Sequence, residues 1–355
     1  MNIAIVNDVW MIRALLTKIV HDNTDHIVIW DAEDGERAVS KAKIKTPDLI
    51  LMDLLMPVMD GVEATRIIMQ QSPCAIVVVT ASVEKYADMV FSAMSHGALD
   101  AISTPSLDSN DSNDDSTGIN PLLHKLQVIN NLTVTKPRAP DIPMSPILKT
   151  NHRQKKFPLI CIGASTGGPG ALAVILAALP AELNAAIVIV QHVDENFVQG
   201  LAEWLDTQCK LPVSVAKENE PIVLNHVYIA GGDKHLRLDP ALCFEYSHEP
   251  VEYAYRPSID VFFHSVNQYW PGSTTGVLLT GMGNDGAKGL LALKNNNCIT
   301  IAQDEQTCAV YGMPRAAARL DAVNLVLPID DISTAIIKSL NNDRSNNIKN
   351  VQSAR

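Results

Sequence analysis

Two runs of short apolar blocks, each interleaved with helical patterning, organise the 355-residue chain. In the first run the blocks fall at residues 3–6, 27–30, 49–52, 76–79 and 101–102, with amphipathic stretches such as 62–69 and 85–94 between them. Unbroken apolar blocks, as opposed to alternating ones, are what strands covered on both faces require. The pattern therefore predicts a parallel sheet with helices on each side. The second run places strands at 159–162, 186–190, 227–229, 277–279 and 298–302 and predicts a second α/β unit with a mainly parallel sheet. Between the runs the pattern lapses. Residues 108–120 are mostly Asp, Ser, Asn, Thr and Gly, too poor in apolar anchors to offset ordering entropy, and read as a loose insertion. Pro121 opens a last helix of the first unit, over 122 to about 132. Residues 136–156 hold four prolines and several basic residues without periodicity, the mark of a semi-extended linker. The expected division is 1–134, a linker at 135–156, and 157–342, with a polar tail from Asn341 that should fray.

Composition narrows the picture. Apolar residues are 47% and charged ones 19% of the chain, as in globular proteins. A net charge of −11 argues against a general nucleic-acid binder. The six cysteines are scattered without a C-x-x-C pair, which disfavours zinc and disulfide frameworks and suits a reducing compartment. The start lacks a basic segment ahead of its first apolar block, so no signal peptide is expected. The longest apolar region, 171–190, is interrupted by Pro180, Glu182 and Asn184 and reads as helix, turn and strand, not as a membrane span. The expectation is a cytoplasmic protein without direct membrane insertion.

In open parallel sheets, functional groups collect at the carboxyl ends of strands. The first unit places Asn7-Asp8, Asp53, Thr80 and Ser103-Thr104-Pro105 there. Two aspartates at neighbouring strand ends suit a hard cation such as Mg²⁺; the plainer alternative makes Asp8 a turn or helix-capping residue. The segment Leu51-Met52-Asp53-Leu54-Leu55-Met56-Pro57-Val58-Met59-Asp60-Gly61 resembles the phosphoacceptor segment of two-component receiver domains. That resemblance implies a flavodoxin-like doubly wound sheet, phosphorylation of Asp53, Mg²⁺ held by Asp8 and Asp53 with help from Asn7, and Thr80 as the switch hydroxyl. Two positions depart from it. Asn7 stands where a second acid is usual, and Thr104 stands where a lysine is usual.

The second unit opens on Leu159-Ile160-Cys161-Ile162-Gly163-Ala164-Ser165-Thr166-Gly167-Gly168-Pro169-Gly170. This is strand, tight turn and helix start, with Pro169 suited to the first helical turn. Ser165 then sits near the unpaired N–H groups of a helix N-terminus, where a nucleophile and oxyanion donors can meet. A phosphate-cradling turn is the rival reading. A serine nucleophile needs a base, and the base an orienter. His192 follows the 186–190 block and Asp285 lies in the Gly-rich stretch after 277–279, so all three sit at strand ends of one unit. By composition alone His226, His235 and His264 compete as bases, and Asp285 could be a turn residue. The order Ser–His–Asp differs from that of the α/β-hydrolases.

The runs Gly163–Pro169, Gln191-His192, Arg256-Pro257-Ser258-Ile259-Asp260, Leu279–Gly286, Gln303-Asp304-Glu305 and Tyr311-Gly312-Met313-Pro314-Arg315 resemble the chemotaxis protein-glutamate methylesterases, which join a receiver to an esterase in this order. The resemblance implies Ser165, His192 and Asp285 as catalytic residues, Thr166 and Met282 in the oxyanion region, and esterase chemistry without a cofactor. Tyr255 departs from it, standing where a histidine is common. Asn7-Asp8 and Thr104-Pro105 resemble the Wsp-type branch. The implied substrate is the γ-methyl ester of glutamate on cytoplasmic helices of a chemoreceptor, with deamidation of glutamine as a related reaction. The implied phosphodonor is a histidine kinase, and the receiver is expected to restrain the esterase until Asp53 is phosphorylated. The alternatives are a non-enzymatic response regulator whose second unit only binds a partner, a nucleotide-binding α/β domain, and, least favoured, a DNA-binding output domain.

Overall fold

The computed structural model describes residues 1–81, 86–105, 122–123, 125–127, 129–130, 157–251, 253 and 255–352, with side chains described to residue 341. The chain divides into two compact units, Met1–Pro140 and Asp141–Arg355. The insertion at 108–120 and the linker at 136–156 lie outside the described residues.

The first unit holds strands β1 (Asn2–Val6), β2 (Ile27–Ala32), β3 (Leu49–Met52), β4 (Ala75–Thr80) and β5 (Asp100–Ser103). They form one parallel sheet in the order β2-β1-β3-β4-β5. The helices Trp10–Asn23, Gly35–Ile44, Gly61–Gln71 and Ala87–Ser95 alternate with the strands. β3 is wholly buried and β1 buried beyond its first residue, as their unbroken apolar sequences require. Leu122, Leu126 and Ile129, spaced for one helical face, pack into the same core as Ile3, Leu51 and Val79. The strand order reverses direction between β1 and β3, so a crevice opens at their carboxyl ends.

The second unit is a seven-stranded sheet in the order β14-β13-β12-β6-β7-β9-β8, every pairing parallel. Its strands are β6 (Leu159–Ala164), β7 (Ala186–Gln191), β8 (Val213–Val215), β9 (Val227–Ile229), β12 (Thr274–Leu278), β13 (Ile299–Gln303) and β14 (Leu325–Leu327). An antiparallel hairpin, β10 (His235–Leu238) with β11 (Phe244–Ser247), stands apart from this sheet. The central strands β6, β7 and β12 are buried at every position. Three expectations change. Strands β8, β10, β11 and β14 are additional; being three or four residues long and partly polar, they carry weak apolar signals. Leu279 lies past the end of β12, its N–H bonded to the Gly163 carbonyl at 2.9 Å. The polar tail does not fray at Asn341: the last helix runs Ile329–Gln352. Ile332, Ile336 and Leu340 bury one face of that helix, which fixes a nucleus from which helix propagates at little further cost.

Candidate active site

In the first unit, the register Val6↔Met52 sets Asn7 and Asp53 side by side one residue later. Asp53 Oδ1 accepts from the Leu54 N–H at 2.7 Å, and Oδ2 accepts from Asn7 Nδ2 at 2.8 Å. The Asn7 Oδ1 accepts from the Val9 N–H at 2.8 Å. An N–H can only donate, so this bond fixes the amide: Asn7 turns its NH₂ group, not its oxygen, toward Asp53. Asn7 therefore presents a donor to Asp53 here. Burial, with the nearby charge of Asp8 adding to it, pushes the Asp53 carboxyl up to about 6 against the bonds from backbone N–H groups. Gly61 is required behind this carboxylate: a Cβ there would lie 1.9 Å from the Asp53 carbonyl oxygen. Thr80 ends β4 and is buried, and its carbonyl accepts from the Thr104 N–H at 2.9 Å. Asp8 is exposed beside Asp53. Two adjacent carboxylates open to solvent on one side fit a hard cation that keeps part of its water shell. Among the described residues no group of three or more His, Cys, Asp or Glu side chains gathers into a metal-holding cluster.

In the second unit, Ser165 follows β6, His192 follows β7 and Asp285 follows β12, three neighbouring strands. The register Ala164↔Gln191 brings Ser165 and His192 to adjacent strand ends, and the His192 N–H donates to the Ala164 carbonyl at 3.0 Å. Gln191 ties the two together. Its Nε2 donates to the carbonyls of Ser165 and of His192, both at 2.9 Å. Gly168 leaves room for this amide: a Cβ there would fall 2.0 Å from Gln191 Oε1 and 2.9 Å from Ala164 Cβ. Past the turn, Gly167 takes φ +77° and caps the helix Gly168–Ala178.

The His192 Nε2 lies 2.8 Å from Asp285 Oδ2. A carboxylate accepts, so Nε2 carries the proton and Nδ1 keeps its lone pair. That Nδ1 is buried and has no hydrogen-bond partner. It is thus the nitrogen left to receive a proton at this strand edge.

Asp285 is held more firmly than its Gly-rich surroundings suggest. Oδ1 accepts from the Ser258 hydroxyl (2.8 Å), the Asp260 N–H (3.0 Å) and the Gly286 N–H (3.0 Å). Oδ2 accepts from the Ile259 N–H at 2.7 Å besides His192. Ser258 caps the helix Ile259–Tyr269, and Gly286 precedes the helix Ala287–Asn295, so the carboxylate closes two helix N-termini at once. Burial alone would raise its pKa. The bond to His192 and the backbone donors overcome this and hold the carboxyl below its ordinary value. The adjacent Asp260 accepts from the Gly289 N–H; burial and the Asp285 charge push it up to about 7.

The turn after β12 reaches the serine. A Cβ on Gly281 would lie 2.7 Å from Ser165 Cβ and 2.6 Å from Met313 Sδ, and the Ser165 N–H donates to the Thr280 carbonyl at 3.0 Å. Among the described residues neither the Thr166 nor the Met282 N–H has a hydrogen-bond partner, as oxyanion donors must be available.

The rival histidines have other duties. His235 Nδ1 accepts from the Ser258 N–H at 3.1 Å and its Nε2 donates to the Pro250 carbonyl, so it braces the segment that holds Asp285. His226 pairs with the Ser214 hydroxyl at 2.8 Å. His264 is buried enough to lower its pKa and forms no hydrogen bond to Asp285 among the described residues. Sequence reasoning named Ser258, Ile259 and Asp260 only as part of a motif. Their role as donors to Asp285 becomes visible once helix and strand ends meet.

Fold and geometry define a class: a doubly wound sheet with an acidic switch-point edge, joined to a parallel α/β unit carrying serine, histidine and aspartate on adjacent strand ends. Comparison with known proteins agrees. The CheB methylesterase description matches residues 160–336, and the response regulator receiver domain matches residues 3–110. A protein-glutamate methylesterase/protein-glutamine glutaminase of Cupriavidus metallidurans is 50% identical over 344 residues, covering 97% of this chain and 100% of its own. One from Pseudomonas aeruginosa is 47% identical over 333 residues, covering 94% and 98%. The solved Thermotoga maritima CheB methylesterase catalytic domain has a TM-score of 0.49 at 36% identity, covering 51% of this chain and 97% of that one. The chain belongs to the CheB methylesterase family, with an N-terminal receiver domain.

Proposed function

We propose that the protein hydrolyses γ-methyl esters of glutamate on the cytoplasmic helices of a chemoreceptor, releasing methanol, under control of phosphorylation at Asp53. The observation that carries the reading is His192, fixed through Nε2 by Asp285 with Nδ1 left free beside the Ser165 strand end. The Ser165 hydroxyl attacks the ester carbonyl while His192 Nδ1 takes its proton. The carbonyl oxygen, now an oxyanion, accepts from the Thr166 and Met282 N–H groups; one such donor is worth about 10²–10³ in rate. Collapse breaks the bond to the methoxy group, which leaves as methanol with the proton from His192. Water, deprotonated by the same nitrogen, then attacks the acyl-serine; the Ser165 oxygen leaves with that proton, and a glutamate carboxylate remains. Asp285 stays ionised throughout, holding the imidazole tautomer and the imidazolium. Glutamine enters the same tetrahedral path with ammonia as leaving group, which supports a deamidase activity.

In the receiver, Asp8 and Asp53 would hold Mg²⁺, which neutralises charge on the transferring phosphoryl group. Asp53 is the acceptor and a histidine kinase of a chemosensory pathway the donor. The loop 54–60 that follows Asp53 closes on itself through the Gly61 N–H bonded to the Leu54 carbonyl at 2.9 Å, so a group added to Asp53 bears directly on that loop. Thr80 is the hydroxyl positioned to follow it. A cytoplasmic location follows from this substrate, and among the described residues no helix is long and apolar enough to cross a membrane.

The test is methanol release from receptor bearing glutamate methyl esters, by the full chain with and without a phosphodonor. Release that rises with phosphodonor and vanishes in Ser165→Ala is expected. Undiminished release by Ser165→Ala refutes the reading; a second unit that only binds a partner would release none in either protein.

A further inference from the structure

One short segment reaches both the histidine and the carboxylate. Its later residues, Ser258, Ile259 and Asp260, donate to Asp285. Three residues before Ser258, Tyr255 lays its ring on the imidazole of His192. The ring centroids are 4.4 Å apart and the planes differ by 12°. The need for such a neighbour follows from the geometry of His192. Its Nε2 has the Asp285 bond, but Nδ1 has no partner. A ring held at one edge can still rock about that bond, since the second side-chain torsion of histidine is broad. Rocking would swing Nδ1 away from the strand end that carries Ser165. A flat surface against one face of the ring blocks that motion. The π face of Tyr255 also attracts the positive charge that the ring bears while the serine proton rests on it.

We propose that Tyr255 is a positioning residue for His192, acting through its ring plane, and that it sets the rate of the acyl-transfer steps. It contacts the base, not the ester. The inference deepens the esterase reading and rests on it. A flat aromatic ring is the requirement, so phenylalanine should serve and leucine should not.

Full-length protein and its Tyr255→Phe and Tyr255→Leu variants would be assayed for methanol release from methylated receptor. Tyr255→Leu should lower kcat about 10–100-fold, the scale of a displaced catalytic group, with KM changed less than about twofold. Tyr255→Phe should stay within about threefold of wild type. In parallel, the ring protons of His192, assigned by their loss in His192→Ala, should be shifted upfield in wild type and Tyr255→Phe and move downfield in Tyr255→Leu. Three results would each overturn the proposal: kcat of Tyr255→Leu within twofold of wild type, a loss in Tyr255→Phe as large as in Tyr255→Leu, or unshifted His192 protons in the folded wild-type chain. The last measurement needs no variant at position 255, so it decides the matter even if Tyr255→Leu does not fold. Methanol release that survives Ser165→Ala would instead sink the esterase reading, while the resonance shifts would still report the stack.

Discussion

Asp53 and Asp285 each follow a buried parallel strand at the functional edge of a sheet, yet their chemistry diverges. Asp53, the less buried, has its carboxyl pushed up to about 6. Asp285, almost fully buried, is held below the ordinary carboxylate range. Burial penalises both charges; the difference is the supply of donors. Asp53 receives the Leu54 N–H and the Asn7 amide, with Asp8 as a repelling neighbour. Asp285 receives a hydroxyl, three backbone N–H groups from two helix starts and the His192 ring. A carboxylate meant to accept a phosphoryl group must keep reactive lone pairs. One meant to orient a histidine can spend all of its acceptor capacity on being fixed.

The largest effect expected from breaking this contrast is at Asp285. Asp285→Asn offers His192 an amide, loses the fixed tautomer and should lower kcat for methanol release by about 10⁴-fold. A loss under tenfold would show that the orienting bond is dispensable. Asp53→Asn, by contrast, should leave basal methanol release within about twofold while abolishing the response to phosphodonor, since its role lies in the other unit. Basal release that collapses in Asp53→Asn would break the separation of roles. A smaller effect is expected at the donor set: Ser258→Ala removes one hydroxyl from Asp285 and should destabilise the second unit by about 1–3 kcal/mol, read from denaturant unfolding.

The smallest effect is a pH slope. Asp260 has its carboxyl raised to about 7, against about 3.9 in the unfolded chain. Between those values the native state binds more protons than the unfolded one, so stability from this group falls as pH rises from about 4 to about 7. Asp285 works oppositely: its lowered pKa adds stability above the unfolded value, lost as pH falls through the folded one. Asp260→Asn should therefore raise the unfolding midpoint more at pH 8 than at pH 5. Equal shifts at the two pH values would show that Asp260 stays ionised.

The central strands were legible because parallel strands covered on both faces must be apolar throughout; β3 and β9 fall on the predicted residues. The edge strands β8 and β14 and the β10–β11 hairpin were not, since their burial is partial and their sequences mixed. At the site, strand ends alone brought Ser165, His192 and Asp285 to one edge. Which histidine stands at the strand end beside the serine depended on register, and the competing His235 is consumed in bracing Ser258. Asn7 shows the limit most clearly. Its position was readable, but only the Val9 N–H reveals which end of the amide faces Asp53. The stack of Tyr255 on His192 had no sequence signal, because 63 residues separate rings that tertiary packing joins.

The most direct test of the account is to trap the covalent intermediate. Full-length protein mixed with methylated receptor peptide would be quenched in acid within the first turnover and its proteolytic fragments weighed. The account predicts a fragment containing Ser165 heavier by the peptide less methanol, absent in Ser165→Ala. Methanol appearing with no adduct at Ser165, or with the adduct on another residue, would contradict it.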